Sequence, residues 1–262
     1  MSNGMACGCA RFKNLRSRKK KAKYPSCPIS RSDPRHRQAR CLIRQFVQLW
    51  KESWMLAVYA FSTPNSVKIP IALEELGLAY HLQRVDIRQG EQKSSDFLAL
   101  NPNGKVPLLV DGDLRIAESG AILMHLAEKT GRLLSTEPAK RAKTIEWLFV
   151  QLSGTGPAFG QSGYWQKLAP DRNEPAIARY QAEANRLADL IDTHLGANEW
   201  FAGDEMTIAD IAHFGWFWRR AFAGVTFDAR ANLARWYSSM ERRPAVQRGI
   251  AATLSLAEAT IE

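Results

Sequence analysis

The chain has 262 residues, 45% of them apolar and 24% charged, which suits a packed core and excludes global disorder. Its formal charge of +10 resembles that of a nucleic-acid binder, but the excess sits at one end: residues 1–54 carry 14 Lys and Arg against 2 Asp and Glu, and residues 55–262 carry 22 against 24. Cys7, Cys9, Cys27 and Cys41 all precede residue 55, so the rest of the chain has no disulfide, thiolate metal site or thiol nucleophile of its own.

Residues 1–54 are expected to be a basic, disordered N-terminal extension. The block from Arg16 to Lys23 repels itself, and Pro25, Pro28 and Pro34 break any helix through it. Met55 precedes the first strand-like run, which also suits an unused upstream start. A targeting segment and a polyanion-binding arm are the sharper readings. A secretory signal is not supported, because no apolar stretch follows the basic block. The cysteine spacing matches no common zinc pattern, and the five histidines include no pair of metalloprotease spacing, so no metal is expected.

Residues 55–133 alternate strand and helix. Residues 56–61 read as a strand, and Ser62-Thr-Pro-Asn65 as a turn into a helix striped by Val67, Ile71, Leu73 and Leu76 and ended by Gly77. Pro70 should bend that helix or shorten its first turn. A second strand over 80–87, a short helix over 95–100, and a third strand after Asn101-Pro-Asn-Gly-Lys-Val-Pro107 follow. Asp111-Gly-Asp113 turns the chain into a strand over 114–117, and Ser119 is expected to cap a helix carrying Ile122, Leu123 and Leu126. The order is βαβ, a helix, then ββα: a parallel pair extended by an antiparallel hairpin, hence a mixed sheet.

Residues 138–262 read as all-helical, with helices near 138–166, 174–195, 207–222, 228–242 and 244–259. Gly154-Thr-Gly-Pro157 should break the first. Thr207 and Asp210 form a capping-box start, and the aromatic run Phe214, Trp216, Phe217, Trp218 marks a buried central helix. Phe159, Gln161, Tyr164 and Trp165 face either a cleft or the packing interface.

Thr63-Pro-Asn65, Gly90-Glu-Gln92, Val106-Pro107 and Glu118-Ser-Gly-Ala-Ile-Leu123 together resemble the cytosolic glutathione transferases, most closely the nu-class-like subgroup. The resemblance spans almost all of residues 55–262. It implies a thioredoxin-like α/β domain over 55–133, an all-helical domain over 138–262, and an enzyme that binds two glutathione thiols or glutathione disulfide and reduces disulfide bonds. The family also implies a homodimer, in the cytoplasm. The long basic segment and Pro70 depart from the pattern.

The chemistry of these motifs can be stated from the ligand. Glutathione carries two carboxylates, one ammonium and one thiol. Val106 and Pro107 offer an outward-turned backbone edge for its cysteinyl part. Ser119, at a helix start, offers donors for the γ-glutamyl carboxylate, and Glu118 offers a counter-charge for the ammonium. Gln92 and Lys105 are within the expected reach of the glycyl end. Thr63 and Asn65 stand where thioredoxin-like proteins place reactive thiols; with no cysteine there, they serve as donors to the ligand's own sulfur. Tyr59 is a rival hydroxyl of lower rank. The expected function is disulfide reduction with bound glutathione. The alternatives are conjugation of glutathione to small electrophiles and a non-catalytic binding protein of the same fold. No nucleic-acid partner is expected for the folded part, and no segment approaches the ~20 apolar residues of a membrane span.

Overall fold

The computed structural model describes residues 56–258, so the expectations for the basic N-terminal segment lie outside the described residues. The first strand, β1 (Leu56–Ala60), buries its alternate residues Leu56, Val58 and Ala60. Helix α1 (Lys68–Leu76) ends at Gly77, whose φ of 70° favours a residue without Cβ. Pro70 is the third residue of α1, where the backbone N–H has no intrahelical acceptor, so the proline costs no helical bond. Strand β2 (Tyr80–Arg84) pairs parallel with β1, Leu56 opposite Tyr80. It stops three residues short of the expected end, where Asp86 instead gathers the Arg88 N–H and the Arg84 side chain.

A 3-10 turn (Glu91–Lys93) leads to α2 (Ser95–Leu100), capped by Ser94, whose Oγ accepts the Phe97 N–H. Strands β3 (Leu108–Asp111) and β4 (Leu114–Ala117) form the expected hairpin, and α3 (Ser119–Thr130) follows. The sheet order is β2-β1-β3-β4, with β1 antiparallel to β3, so the sheet is mixed as its sequence pattern requires.

The rest is helical: α4 (Pro138–Phe149), α5 (Gly156–Lys167), α6 (Glu174–Ala197), α7 (Ile208–Trp218), α8 (Ala231–Glu241) and α9 (Pro244–Glu258). The expected break in the first long helix is a π-helical turn, Val150–Thr155, between α4 and α5. Such turns insert a residue, so they re-aim the side chains they carry. Helix α7 is buried on nearly every face and begins with the expected capping box of Thr207 and Asp210.

One apolar core runs through both halves, from Val58 and Ile71 to Phe214 and Trp236. Helix α9 packs on α1 so closely that a Cβ on Gly249 would stand 2.6 Å from the Ile71 nitrogen. Helix α7 likewise meets α1 and α3. These contacts seat the start of α1, the start of α3 and the π turn around one point.

Candidate active site

The loop from β1 to α1 is organised by its own side chains. Thr63 Oγ1 accepts the Ser66 N–H at 3.1 Å, the short-range bond that makes hydroxyl residues good helix starters. It also lies 2.9 Å from Ser66 Oγ, a pair of hydroxyls in which either can be the donor. Two residues on, Asn65 Oδ1 accepts from Lys68 Nζ at 2.9 Å and from Trp216 Nε1 at 3.0 Å. The Trp216 indole N–H can only donate, as does Lys68 as an ammonium, so reversing the amide would lose the Trp216 bond. The Asn65 NH2 group is thereby left as the donor end.

The Trp216 contact requires α7 to lie unusually close. A Cβ on Gly215 would stand 2.3 Å from the Pro64 carbonyl oxygen and 2.9 Å from Lys68 Cγ. A side chain at 215 would therefore push α7 away from the loop.

Asn101 shapes the second loop. Its Nδ2 donates to the Lys105 carbonyl at 2.7 Å, and its Oδ1 accepts the Asn103 N–H at 3.1 Å. The Val106–Pro107 peptide bond that follows is cis. Among the described residues the Val106 N–H and C=O have no hydrogen-bond partner, as an edge awaiting an extended ligand would require.

The third element is the start of α3. Ser119 was expected to be the cap; it is the first helical residue instead, and Glu118 holds the cap position at φ 71°. A non-glycine residue there is strained by on the order of 1–3 kcal/mol and persists only where its surroundings impose it. The Ser119 side chain does not cap its own helix, because its Oγ is engaged by Lys68 Nζ at 3.2 Å.

Lys68 was missed as a site residue. It is fully buried, and its Nζ donates to Asn65 Oδ1, Ser119 Oγ and, at 2.9 Å, Gln151 Oε1 of the π turn. Burial pulls the amine down to about 7, with the Glu118 carboxylate opposing. One side chain thus ties the β1–α1 loop, α3 and the helical half together.

Two hollows meet at this point. One of about 110 Å³ is bordered by Lys105, Val106 and Pro107; the other, of about 260 Å³, by Gln151, Pro157, Gln161 and Trp216. Asn65, Glu118 and Ser119 border both. The structure therefore brings together six of the eight residues singled out from the sequence. Thr63 and Gln92 line neither hollow. Gln92 Oε1 is buried without a hydrogen-bond partner, and its carbonyl oxygen packs against Gly104 beside the Lys105 loop. Tyr59 borders a separate groove with Gln83 and Phe97. Of the four residues expected to face a cleft or an interface, only Gln161 borders the cavity; Phe159 is buried in the core against Phe217. Larger hollows of about 400 and 410 Å³ lie elsewhere, but neither is lined by Asn65, Val106, Glu118 or Ser119.

Among the described residues no cluster of His, Cys, Asp and Glu is placed to hold a metal. The arrangement instead offers a backbone edge, a helix start with a buried cation beneath it, a carboxylate and an oriented amide donor, which suits a small peptide bearing an anionic sulfur.

Comparison with known proteins agrees. Residues 55–128 match the glutathione S-transferase N-terminal domain, and residues 147–244 the glutathione S-transferase C-terminal domain. The chain is 40% identical over 200 residues to the disulfide-bond oxidoreductase YfcG of Escherichia coli, covering 73% of this chain and 92% of that protein. A glutathione transferase family member from Pseudomonas fluorescens, solved with two glutathione bound, superposes with a TM-score of 0.72 at 39% identity over 78% of this chain and 96% of that one. A glutathione transferase from Pseudomonas putida, solved with one glutathione disulfide per subunit, gives 0.70 at 39% identity, with 75% and 91% covered. This chain belongs to the glutathione S-transferase family.

Proposed function

We propose that the protein is an enzyme that reduces disulfide bonds with glutathione, the two reacting glutathione sulfurs meeting beside Asn65. The observation that carries this reading is the position of Asn65: it borders both hollows, and Lys68 and Trp216 occupy its amide oxygen, so that its NH2 group is the end left to meet a ligand. The names of similar proteins support it, since one is a disulfide-bond oxidoreductase and others were solved with two glutathiones or glutathione disulfide.

In this reading the smaller hollow takes the first glutathione. The Val106 backbone pairs with its cysteinyl part, the Ser119 N–H and hydroxyl receive the γ-glutamyl carboxylate, and Glu118 receives the ammonium. Lys105 stands at the glycyl end, and Gln92 approaches it from behind Gly104. The larger hollow admits the second glutathione or the substrate disulfide. Residues 56–258 contain no cysteine, so both attacking sulfurs come from the ligands.

The first glutathione thiolate attacks one sulfur of the substrate disulfide, forming a mixed disulfide and releasing one substrate thiol after protonation. A second glutathione thiolate attacks the glutathionyl sulfur, releasing the other substrate thiol and leaving glutathione disulfide. Two electrons pass from two glutathiones to one disulfide. A glutathione thiol of ordinary pKa ~8.5 is mostly protonated near neutrality, so donors that favour the anion raise the reactive fraction. Asn65 Nδ2 is one such donor. Thr63 lines neither hollow, and its Oγ1 is engaged by the Ser66 N–H and hydroxyl, so in this reading it shapes the loop that presents Asn65. The chain also acts as a homodimer and in the cytoplasm in this reading; sedimentation showing only a monomer would remove the first of these. No helix of the described residues is long and apolar enough to cross a membrane.

Paired assays test the function. With glutathione as sole thiol, a small disulfide should be reduced well above the uncatalysed rate, and an aromatic electrophile conjugated slowly. Ready conjugation without disulfide reduction would replace this reading with the transferase one. Tight glutathione binding with neither activity would make the protein a binding module.

A further inference from the structure

The Lys68 cage has a property that its three bonds disclose. Two of the acceptors, Asn65 Oδ1 and Gln151 Oε1, are carbonyl oxygens that only accept. The third, Ser119 Oγ, both accepts and donates. A lysine ammonium has three N–H bonds, one for each oxygen. A neutral amine has two N–H bonds and a lone pair. Its two N–H bonds serve the two carbonyls, and the lone pair faces Ser119 and draws the hydroxyl proton towards itself.

We propose that Lys68 is a positioning residue for the anionic end of the ligand: as an ammonium it leaves the Ser119 hydroxyl proton for donation into the cavity, so glutathione binding is coupled to uptake of one proton at Lys68. The inference rests on the reading above, in which Ser119 receives the γ-glutamyl carboxylate. The charge adds to the geometry. A carboxylate at the start of α3 lies just across Ser119 from the buried nitrogen, and the partial positive charge of the helix end and the ammonium act on it from the same side.

The other charged and titratable groups around Lys68 do not reproduce this coupling. Glu118, from the start of α3, favours the ammonium and is itself opposed by the ligand's amino group. His213, from α7, is fully buried and held down to about 3, so it stays neutral across the working range. Lys105 borders the smaller hollow but makes no hydrogen bond to the Lys68 cage. Arg243, just before α9, and Arg248, within it, are engaged elsewhere on α1, by Glu75 and Glu74. Lys68 is the group whose proton equilibrium, near 7 without ligand, a bound carboxylate would move. A ligand that requires the ammonium binds up to about ten-fold more weakly for each pH unit above that value.

Calorimetric titration of the full chain with glutathione disulfide, which has no thiol to ionise, tests this in buffers of low and high ionisation heat. At pH 7.5 the wild type should take up about 0.7 proton per bound ligand, and its affinity should fall roughly ten-fold or more between pH 6.5 and 8.5. Lys68→Met should bind at least about ten-fold more weakly at pH 6.5 and take up no proton at position 68. Lys68→Arg, with a guanidinium charged throughout, should recover affinity and bind with a flat pH profile. A lysine that served packing alone would not change the proton count. Binding by the wild type without proton uptake, or equal uptake in Lys68→Met, would overturn the proposal and leave the disulfide-reductase reading in place. No binding heat at any pH would overturn both.

Discussion

Among the described residues, two clusters of buried ionisable groups, one in the helical half and one at the site, differ in what they face. At the start of α7, Asp210 and His213 are sealed inside the helical half. The Asp210 carboxylate accepts from the Thr207 and Phe201 N–H groups and from Trp236 Nε1, at 2.8, 3.1 and 2.9 Å. His213 Nε2 donates to the Trp147 carbonyl at 3.0 Å, and its ring stacks on Phe201 at 4.0 Å. Neither residue borders the two hollows at the site. Around Lys68, by contrast, Asn65, Ser119 and Gln151 all border a hollow. Both clusters hold a fully buried group shifted by desolvation. A perturbed pKa therefore marks burial, and only contact with a cavity marks function. The first cluster should control stability and the second affinity and turnover.

That division can be broken experimentally. The largest effect is expected for Asp210→Ala, which leaves four donors from Thr207, Phe201 and Trp236 without their acceptor and should cost about 3–5 kcal/mol of unfolding free energy. Urea titration measures it, and the fraction still folded should bind glutathione normally. Ser119→Ala should do the reverse, weakening glutathione by about 1.5–3 kcal/mol, or roughly 10- to 150-fold, with little change in melting temperature. A Ser119 variant that melted early and bound normally would erase the distinction.

Acidification gives the next effect. His213 is held down to about 3 by burial, with the Lys68 charge contributing, whereas an unfolded histidine titrates near 6.5. Below that value the unfolded chain gains a proton that the folded chain refuses, so stability falls as pH drops from about 6.5 towards 3. The slope from this residue approaches about 1.4 kcal/mol per pH unit. His213→Gln should flatten that part of a stability-against-pH curve while leaving glutathione affinity unchanged. The smallest effect is that of Thr207→Ala, which removes one side of the capping box and should cost about 1 kcal/mol, visible in the same urea titration.

The sequence revealed these two clusters unequally. The capping box was legible because Thr207 and Asp210 are three residues apart and both partners are local. The mixed sheet was legible for a similar reason: the short apolar run over 56–61 and the turn at Asp111-Gly-Asp113 are short-range signals. Val106-Pro107 and Glu118-Ser119 stood out as motifs. The role of Ser119 was misread because a hydroxyl at a helix start ordinarily caps it; here Glu118 occupies the cap and Ser119 turns to Lys68.

Lys68 itself was hidden in plain view between Val67 and Ile69, in a helix whose neighbouring positions are nearly all apolar. Its partners Ser119 and Gln151 lie 51 and 83 residues away, a separation that periodicity does not bridge. Gln151 comes from a π turn, and the sequence showed only that a break was due. Trp216 sat in an aromatic run that correctly signalled a buried helix and gave no hint that its indole N–H reaches Asn65. The one clue was a lysine on an otherwise buried helix, which needs an explanation wherever it occurs.

The central claim is that the Asn65 amide, fixed by Lys68 and Trp216, stabilises the reacting sulfur. Steady-state reduction of a small disulfide by glutathione in Asn65→Ala tests it most directly. The account predicts that kcat falls on the order of 10- to 100-fold, the loss of one charge-assisted hydrogen bond, while the KM for glutathione stays close to that of the wild type. Wild-type kcat in Asn65→Ala would contradict it.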